Sequence, residues 1–167
     1  MKIDLTKIIN GSNYKIDLDE KLDVKEFNSK KNNITFNKPV EIKGGIYNTD
    51  DGMFLDAKVI YEYKDKCDRC LKEITVDGDT HINSEIKLHD NKNEENEVII
   101  AEKDKTVDLY KPVISSILLS MPMKTLCDEN CSGICPKCGM DLNNGQCDCE
   151  DDNIDPRLAK LKELMDK

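Results

Sequence analysis

The chain has 167 residues, enough for one domain with a real core and a small appendage. Charged residues make up 35% and hydrophobic ones 38%, with no Trp and 3 Phe, so the core is expected to be aliphatic. Lys and Arg number 25 against 34 Asp and Glu, a net charge of -9, which argues against a general polyanion binder because phosphate contacts need cations. There are 8 cysteines, clustered towards Cys127–Cys149, which excludes scattered core thiols as their explanation.

Asp4 and Lys7 interrupt any apolar run near Met1, so no secretory signal is expected. No stretch approaches the ~18 apolar residues of a membrane span. The expectation is a soluble, cytoplasmic protein without a membrane partner. In a reducing compartment, grouped cysteines are more often metal ligands than disulfides.

From the N-terminus onward, Tyr14, Ile16 and Leu18 alternate with polar residues, as in a short strand, and Ile34–Phe36 and Val40–Ile42 read the same way. Gly44-Gly45 suggests a bulge or bend. Asn48-Thr49-Asp50-Asp51-Gly52 is turn chemistry. Beyond it Leu55, Ala57, Val59, Tyr61 and Tyr63 alternate cleanly, so the turn joins an antiparallel hairpin. Asp77-Gly78-Asp79 suggests a second turn before a strand over Ile82, Ser84, Ile86 and Leu88. His89 to Asp108 reads as an acidic loop, with Val98-Ile99-Ile100 as a docked piece. Leu109, Val113, Ile114, Ile117, Leu118 and Met121 then share one helix face, with Asp108 as N-cap and Pro122 as the stop. Asp155 and Pro156 open a terminal helix carrying Leu158, Leu161 and Met165. The expected fold is α+β. A twisted antiparallel sheet in a β-rich region (1–90) is followed by an acidic loop (91–107), a helix packed on the sheet (108–123) and a cysteine-rich, zinc-binding C-terminal module (124–167).

The cysteines pair as Cys67-x2-Cys70, Cys127-x3-Cys131, Cys135-x2-Cys138 and Cys147-x-Cys149. Structural zinc takes four ligands tetrahedrally, and a Cys-x2-Cys turn aims two sulfurs at one ion. Cys135, Cys138, Cys147 and Cys149 can close a local site, since Asn143-Asn144-Gly145 folds the second pair back on the first. Cys67, Cys70, Cys127 and Cys131 then form another, stapling the C-terminal segment to the end of a strand. Spacing favours this partition over swapped sets and over a six-cysteine binuclear cluster. Two zinc ions per chain are expected, with an iron–sulfur cluster as the other chemistry that four thiolates suit.

Catalysis is not expected. His81 and His89 are the 2 histidines, and there is no phosphate loop, nucleophile elbow or zinc-protease helix. A four-thiolate site leaves no coordination position for water, so a small-molecule substrate is not expected either. Lys64, Lys66, Arg69 and Lys72 surround the first cysteine pair and form a candidate RNA or partner contact, although a solvated strand end is the plainer reading. Eight thiolates add eight negative charges and two zinc ions return four, taking -9 to about -13.

Cys67-Asp68-Arg69-Cys70-Leu71 resembles the Cys-x-Arg-Cys-Leu signature of the YceD-like, or large ribosomal RNA subunit accumulation, proteins. The similarity continues through Leu118–Lys124, Cys127, Cys131–Gly139, Asp141–Asn143, Cys147-x-Cys149 and Ile154–Leu161. It implies a non-enzymatic factor for large-subunit ribosomal RNA accumulation, with ribosomal RNA, basic ribosomal proteins or assembly intermediates as partners. The alternative is a zinc-stabilised adaptor unrelated to the ribosome.

Overall fold

The computed structural model describes residues 1–24, 26–28, 33–88, 99–101 and 105–149. The elements follow one another as β1 (Lys2–Asp4), α1 (Thr6–Ile9), β2 (Lys15–Leu22), β3 (Glu26–Asn28), β4 (Asn33–Phe36), β5 (Val40–Thr49), β6 (Gly52–Lys66), β7 (Glu73–Leu88), β8 (Ile99–Ala101), β9 (Thr106–Asp108) and α2 (Tyr110–Ser120). The architecture is α+β, as the patterning implied.

The expected hairpin is present: β5 and β6 pair antiparallel from Glu41 opposite Ile60 to Thr49 opposite Gly52. β6 is the central strand. β5 and the short β4 share one of its edges, β7 runs along the other, β2 extends the sheet beyond β5, and β3 beyond β4. Alternation decides the faces. Leu55, Ala57, Val59, Tyr61 and Tyr63 are buried, whereas Asp56 and Lys58 between them and Lys64 just beyond are exposed. Ile82 and Ile86 of β7 and Val113, Ile114 and Ile117 of α2 join the same core. Tyr61 Oη and Ser120 Oγ, 2.7 Å apart, tie the end of α2 to the sheet.

Several expectations are corrected. Gly44 and Gly45 do not interrupt β5; both pair in unbroken register with β6, Gly44 opposite Ala57. A Cβ on Gly44 would lie 2.2 Å from the Asp56 carbonyl oxygen, so glycine here permits a close backbone approach. Asp77-Gly78-Asp79 is no turn either. It pairs with Glu62, Tyr61 and Ile60, and Gly78 leaves room for the Tyr61 ring, which a Cβ would meet at 2.5 Å. The connection between β6 and β7 is the cysteine loop at 67–72 instead. The stretch read as an acidic loop carries its docked piece as β8, parallel to β7, but it also holds β9, antiparallel to β1, which the patterning did not show. Short α1 has no counterpart in the sequence reading, because one helical turn is too brief to show a period.

α2 begins one residue later than expected, with Leu109 at the N-cap, yet Asp108 Oδ1 still accepts the Tyr110 N–H at 3.0 Å. A start at Tyr110 puts Pro112 in the first turn, where no intrahelical N–H is needed. Met121 leaves the helix in an extended conformation (φ -64, ψ 135), as the residue before Pro122 must. The terminal helix expected from Asp155 onward, like His89, lies outside the described residues.

Candidate metal centres

The first centre is built on the tip of the β6–β7 hairpin. Lys72 carbonyl oxygen accepts the Cys67 N–H at 2.9 Å, and Cys67 carbonyl oxygen accepts the Leu71 N–H at 2.8 Å. Leu71 sits in the left-handed region, φ 61. Beyond α2 the chain returns to this tip. The Asp68 N–H donates to the Thr125 carbonyl at 2.9 Å, the Thr125 N–H to Asp68 Oδ2 at 2.7 Å, and the Thr125 hydroxyl to Asp65 Oδ2 at 2.7 Å. Buried Thr125 is thus the clamp that delivers Cys127. No sequence motif marked it, since a lone threonine carries no signal by itself.

The second centre repeats the first turn. Met140 carbonyl oxygen accepts the Cys135 N–H at 2.8 Å, and Cys135 carbonyl oxygen accepts the Gly139 N–H at 2.9 Å, with Gly139 at φ 74. The two Cys-x2-Cys turns therefore share one hydrogen-bond pattern, with Leu71 in one where Gly139 stands in the other. An isolated antiparallel bridge pairs Ile134 with Asp141 and folds the loop back.

All four sulfurs of Cys67, Cys70, Cys127 and Cys131 lie within 4.8 Å of one another, and so do those of Cys135, Cys138, Cys147 and Cys149. Cys67 to Cys131 is 3.8 Å and Cys70 to Cys127 is 3.6 Å. A tetrahedral zinc site with ~2.3 Å Zn–S bonds has S···S edges of about 3.8 Å. A disulfide requires ~2.05 Å. The grouping is the one that spacing favoured, and the donor set suits a soft divalent ion.

Backbone N–H groups of Cys127, Cys70 and Arg69 hold the Cys67 thiol down at about 6. Those of Cys138 and Lys137 do the same for Cys135, also at about 6. The Cys127 thiol is pushed up to about 12 by the sulfurs of Cys131 and Cys70, and that of Cys149 to about 12 chiefly by Cys138. One sulfur of each cluster ionises easily while another strongly resists, because thiolates this close repel. A divalent cation between them would remove the repulsion and release the protons.

Of the four cationic residues near the first pair, Lys64, Lys66 and Lys72 are exposed. Arg69 is engaged instead: its Nη1 donates to the carbonyl oxygens of Glu129 at 3.1 Å and Cys131 at 2.8 Å. His81 is exposed on β7, opposite Lys58, and belongs to neither sulfur cluster. Among the described residues, no helix is long and apolar enough to cross a membrane.

A family model described as large ribosomal RNA subunit accumulation protein YceD matches residues 55–165. An uncharacterized protein of Mycobacterium tuberculosis is 39% identical over 62 residues, 37% of this chain and 30% of the relative. The chain thus spans less than a third of that relative's length. A chloroplastic protein of Arabidopsis thaliana, named large ribosomal RNA subunit accumulation protein YCED homolog 1, is 32% identical over 63 residues, 38% of this chain and 20% of the relative. The uncharacterized protein YlbN of Bacillus subtilis is 25% identical over 150 residues, 89% of this chain and 87% of its own length. No solved structure matches the chain.

Proposed function

The chain belongs to the YceD family of large ribosomal RNA subunit accumulation proteins, and on that premise we propose that it is a non-enzymatic, cytoplasmic zinc protein supporting large-subunit ribosomal RNA accumulation. The ribosomal role is supported by the names of the family and of the plant relatives. The observation that carries the zinc reading is the gathering of eight sulfurs into two groups with no cysteine left over.

Cys67, Cys70, Cys127 and Cys131 hold one ion, and Cys135, Cys138, Cys147 and Cys149 the other. Zinc supplies cross-linking here: with four thiolates it has no open position for water or substrate, so its work is structural. Its binding energy is folding energy for the 124–149 segment, which offers little apolar burial of its own. The partner is ribosomal RNA, a basic ribosomal protein or an assembly intermediate. An acidic chain is better suited to a basic protein, and RNA contact falls to a local patch at Lys64, Lys66 and Lys72.

The test has two arms. Elemental analysis of freshly purified protein should give two zinc ions per chain; iron would overturn the metal assignment. Depletion from cells should lower large-subunit ribosomal RNA relative to small-subunit RNA. Unchanged subunit profiles would sink the ribosomal reading and favour an adaptor unrelated to the ribosome, whose pulled-down partners would then lack ribosomal proteins.

A further inference from the structure

Asn143 lies midway along the loop between Cys138 and Cys147, so it belongs by sequence to the second centre. Its side chain nevertheless reaches the first. Nδ2 donates to Cys131 Sγ at 3.5 Å and to Asp141 Oδ1 at 2.6 Å, while Oδ1 accepts the Ser132 N–H at 2.8 Å. These partners settle which end of the amide is which. A backbone N–H can only donate, so it takes the oxygen; a carboxylate only accepts, so it faces the nitrogen. The second hydrogen of Nδ2 is thereby aimed at the sulfur.

The rest of the loop is fastened to the segment between the centres. The Leu142 N–H donates to the Gly133 carbonyl at 2.9 Å, and Ile134 bridges Asp141. Asp141 Oδ1 also takes the Asn143 N–H at 2.9 Å, and Oδ2 takes Asn144 Nδ2 at 3.0 Å, so the turn is stiff around the amide. On the other side of Cys131, Arg69 holds its carbonyl oxygen at 2.8 Å. Cys131 is therefore gripped from the first Cys-x2-Cys turn and from the second centre's loop at once.

We propose that Asn143 is a positioning residue that couples the two metal centres: metal in the second centre closes the Cys138–Cys147 loop, fixes the Asn143 amide against the Cys131 sulfur, and so tightens metal binding in the first. The inference rests on the zinc reading above. Its physical basis is that a hydrogen bond to a coordinating thiolate offsets part of its charge and orients it, an outer-shell effect that typically changes metal affinity 10–100-fold. Loop closure supplies the other half, since an open loop must lose conformational freedom before the amide is in place. Coupling of binding free energies is reciprocal, so metal in the first centre equally tightens the second.

The experiment is a competition titration of the intact chain, loaded with zinc alone, against a chromophoric chelator. It compares the wild type, Asn143→Ala, a Cys147→Ser/Cys149→Ser chain lacking the second centre, and the combination. Asn143→Ala and loss of the second centre should each weaken the first centre about tenfold. The combination should be no weaker than either alone, because both remove one interaction. Asn143→Asp is the second variant: it keeps the shape and the acceptor for Ser132 but loses the N–H, and it should weaken the first centre at least as much. Amide NMR spectra of the β-sheet residues check that each chain keeps its fold. An unaltered first centre in Asn143→Ala, or two losses that multiply in the combination, would overturn the coupling while leaving two zinc sites intact. A wild type that binds no zinc would overturn the zinc reading itself.

Discussion

Arg69 donates from Nη1 to the Cys131 carbonyl oxygen at 2.8 Å, which makes the guanidinium a brace between the hairpin tip and the returning chain. The same nitrogen takes the Glu129 carbonyl at 3.1 Å, so one group fixes both sides of the turn that ends at Cys131. Lysine cannot reproduce this, because its ammonium is a mobile point charge on a flexible stem. Arg69→Lys is expected to make the first centre about tenfold more sensitive to chelators, with a smaller loss at the second through the coupling. Metal-release titrations check it; an unaltered first centre would show that Arg69 does not hold Cys131 in place.

Lys64, Lys66 and Lys72 are left to face solvent. Replacing all three with Glu should leave zinc content unchanged. If they meet phosphate, RNA affinity falls and the log–log salt slope drops by ~0.7–0.9 for each phosphate no longer neutralised. A salt slope equal to that of the wild type would assign the patch to solvent.

Leu71 and Gly139 occupy equivalent left-handed positions, φ 61 and φ 74, in the two cysteine turns. A left-handed non-glycine residue costs about 1–2 kcal/mol, and Leu71 recovers little by burial because it is 60% exposed. Leu71→Gly should leave the zinc-loaded protein as stable as before or up to about 1 kcal/mol more so, after the entropy that glycine adds to the unfolded chain. Gly139→Leu should lose about 1 kcal/mol or more. Denaturant unfolding of both variants decides; a large loss for Leu71→Gly would mean that its side chain is packed.

Gly44→Ala should cost about 2 kcal/mol, because the new methyl meets the backbone of Asp56 and Ala57 (at 2.2 and 2.5 Å) rather than a side chain that can swing away. Equilibrium unfolding with unchanged zinc content would read this. A neutral result would show that β5 and β6 separate without difficulty at this point.

Glu41 accepts from Lys21 at 2.8 Å and Lys43 at 2.9 Å, and these two hydrogen bonds, Lys21's first, hold its carboxyl down at about 2. The unfolded carboxyl titrates near ~4.3. Its contribution is therefore complete above that value and is lost as the pH falls through about 2. Glu41→Gln should lower the melting temperature slightly at pH 7, by an amount that shrinks in high salt and vanishes at the acid end. Acid release of zinc affects both chains alike, so the difference between their melts isolates Glu41.

Features governed by near neighbours were legible in the sequence. The alternation from Leu55 to Tyr63 specified a half-buried strand, because a period of two admits no other face for those side chains. Pro122 set the end of α2, because a proline restricts the residue before it wherever it occurs. Glycine misled twice: Gly44 and Gly78 mark close approach across a ladder, to the Asp56 backbone and to the Tyr61 ring, and only the partner strand reveals which meaning a glycine carries.

Of the two candidate metal centres, the second could be read from spacing alone. Cys135, Cys138, Cys147 and Cys149 fall within one short stretch, where closing the loop costs little entropy. That Cys67 and Cys70 meet Cys127 and Cys131 was favoured by elimination, but the folded chain is what brings them together. The approach spans the length of β7 and α2, and it depends on Thr125 between Asp65 and Asp68, on Arg69 at Cys131 and on Asn143 at the same sulfur. Each is a single polar group whose role is set by what lies across from it, and no spacing rule encodes such a partner, whether it is 62 residues away as for Arg69 or 12 as for Asn143.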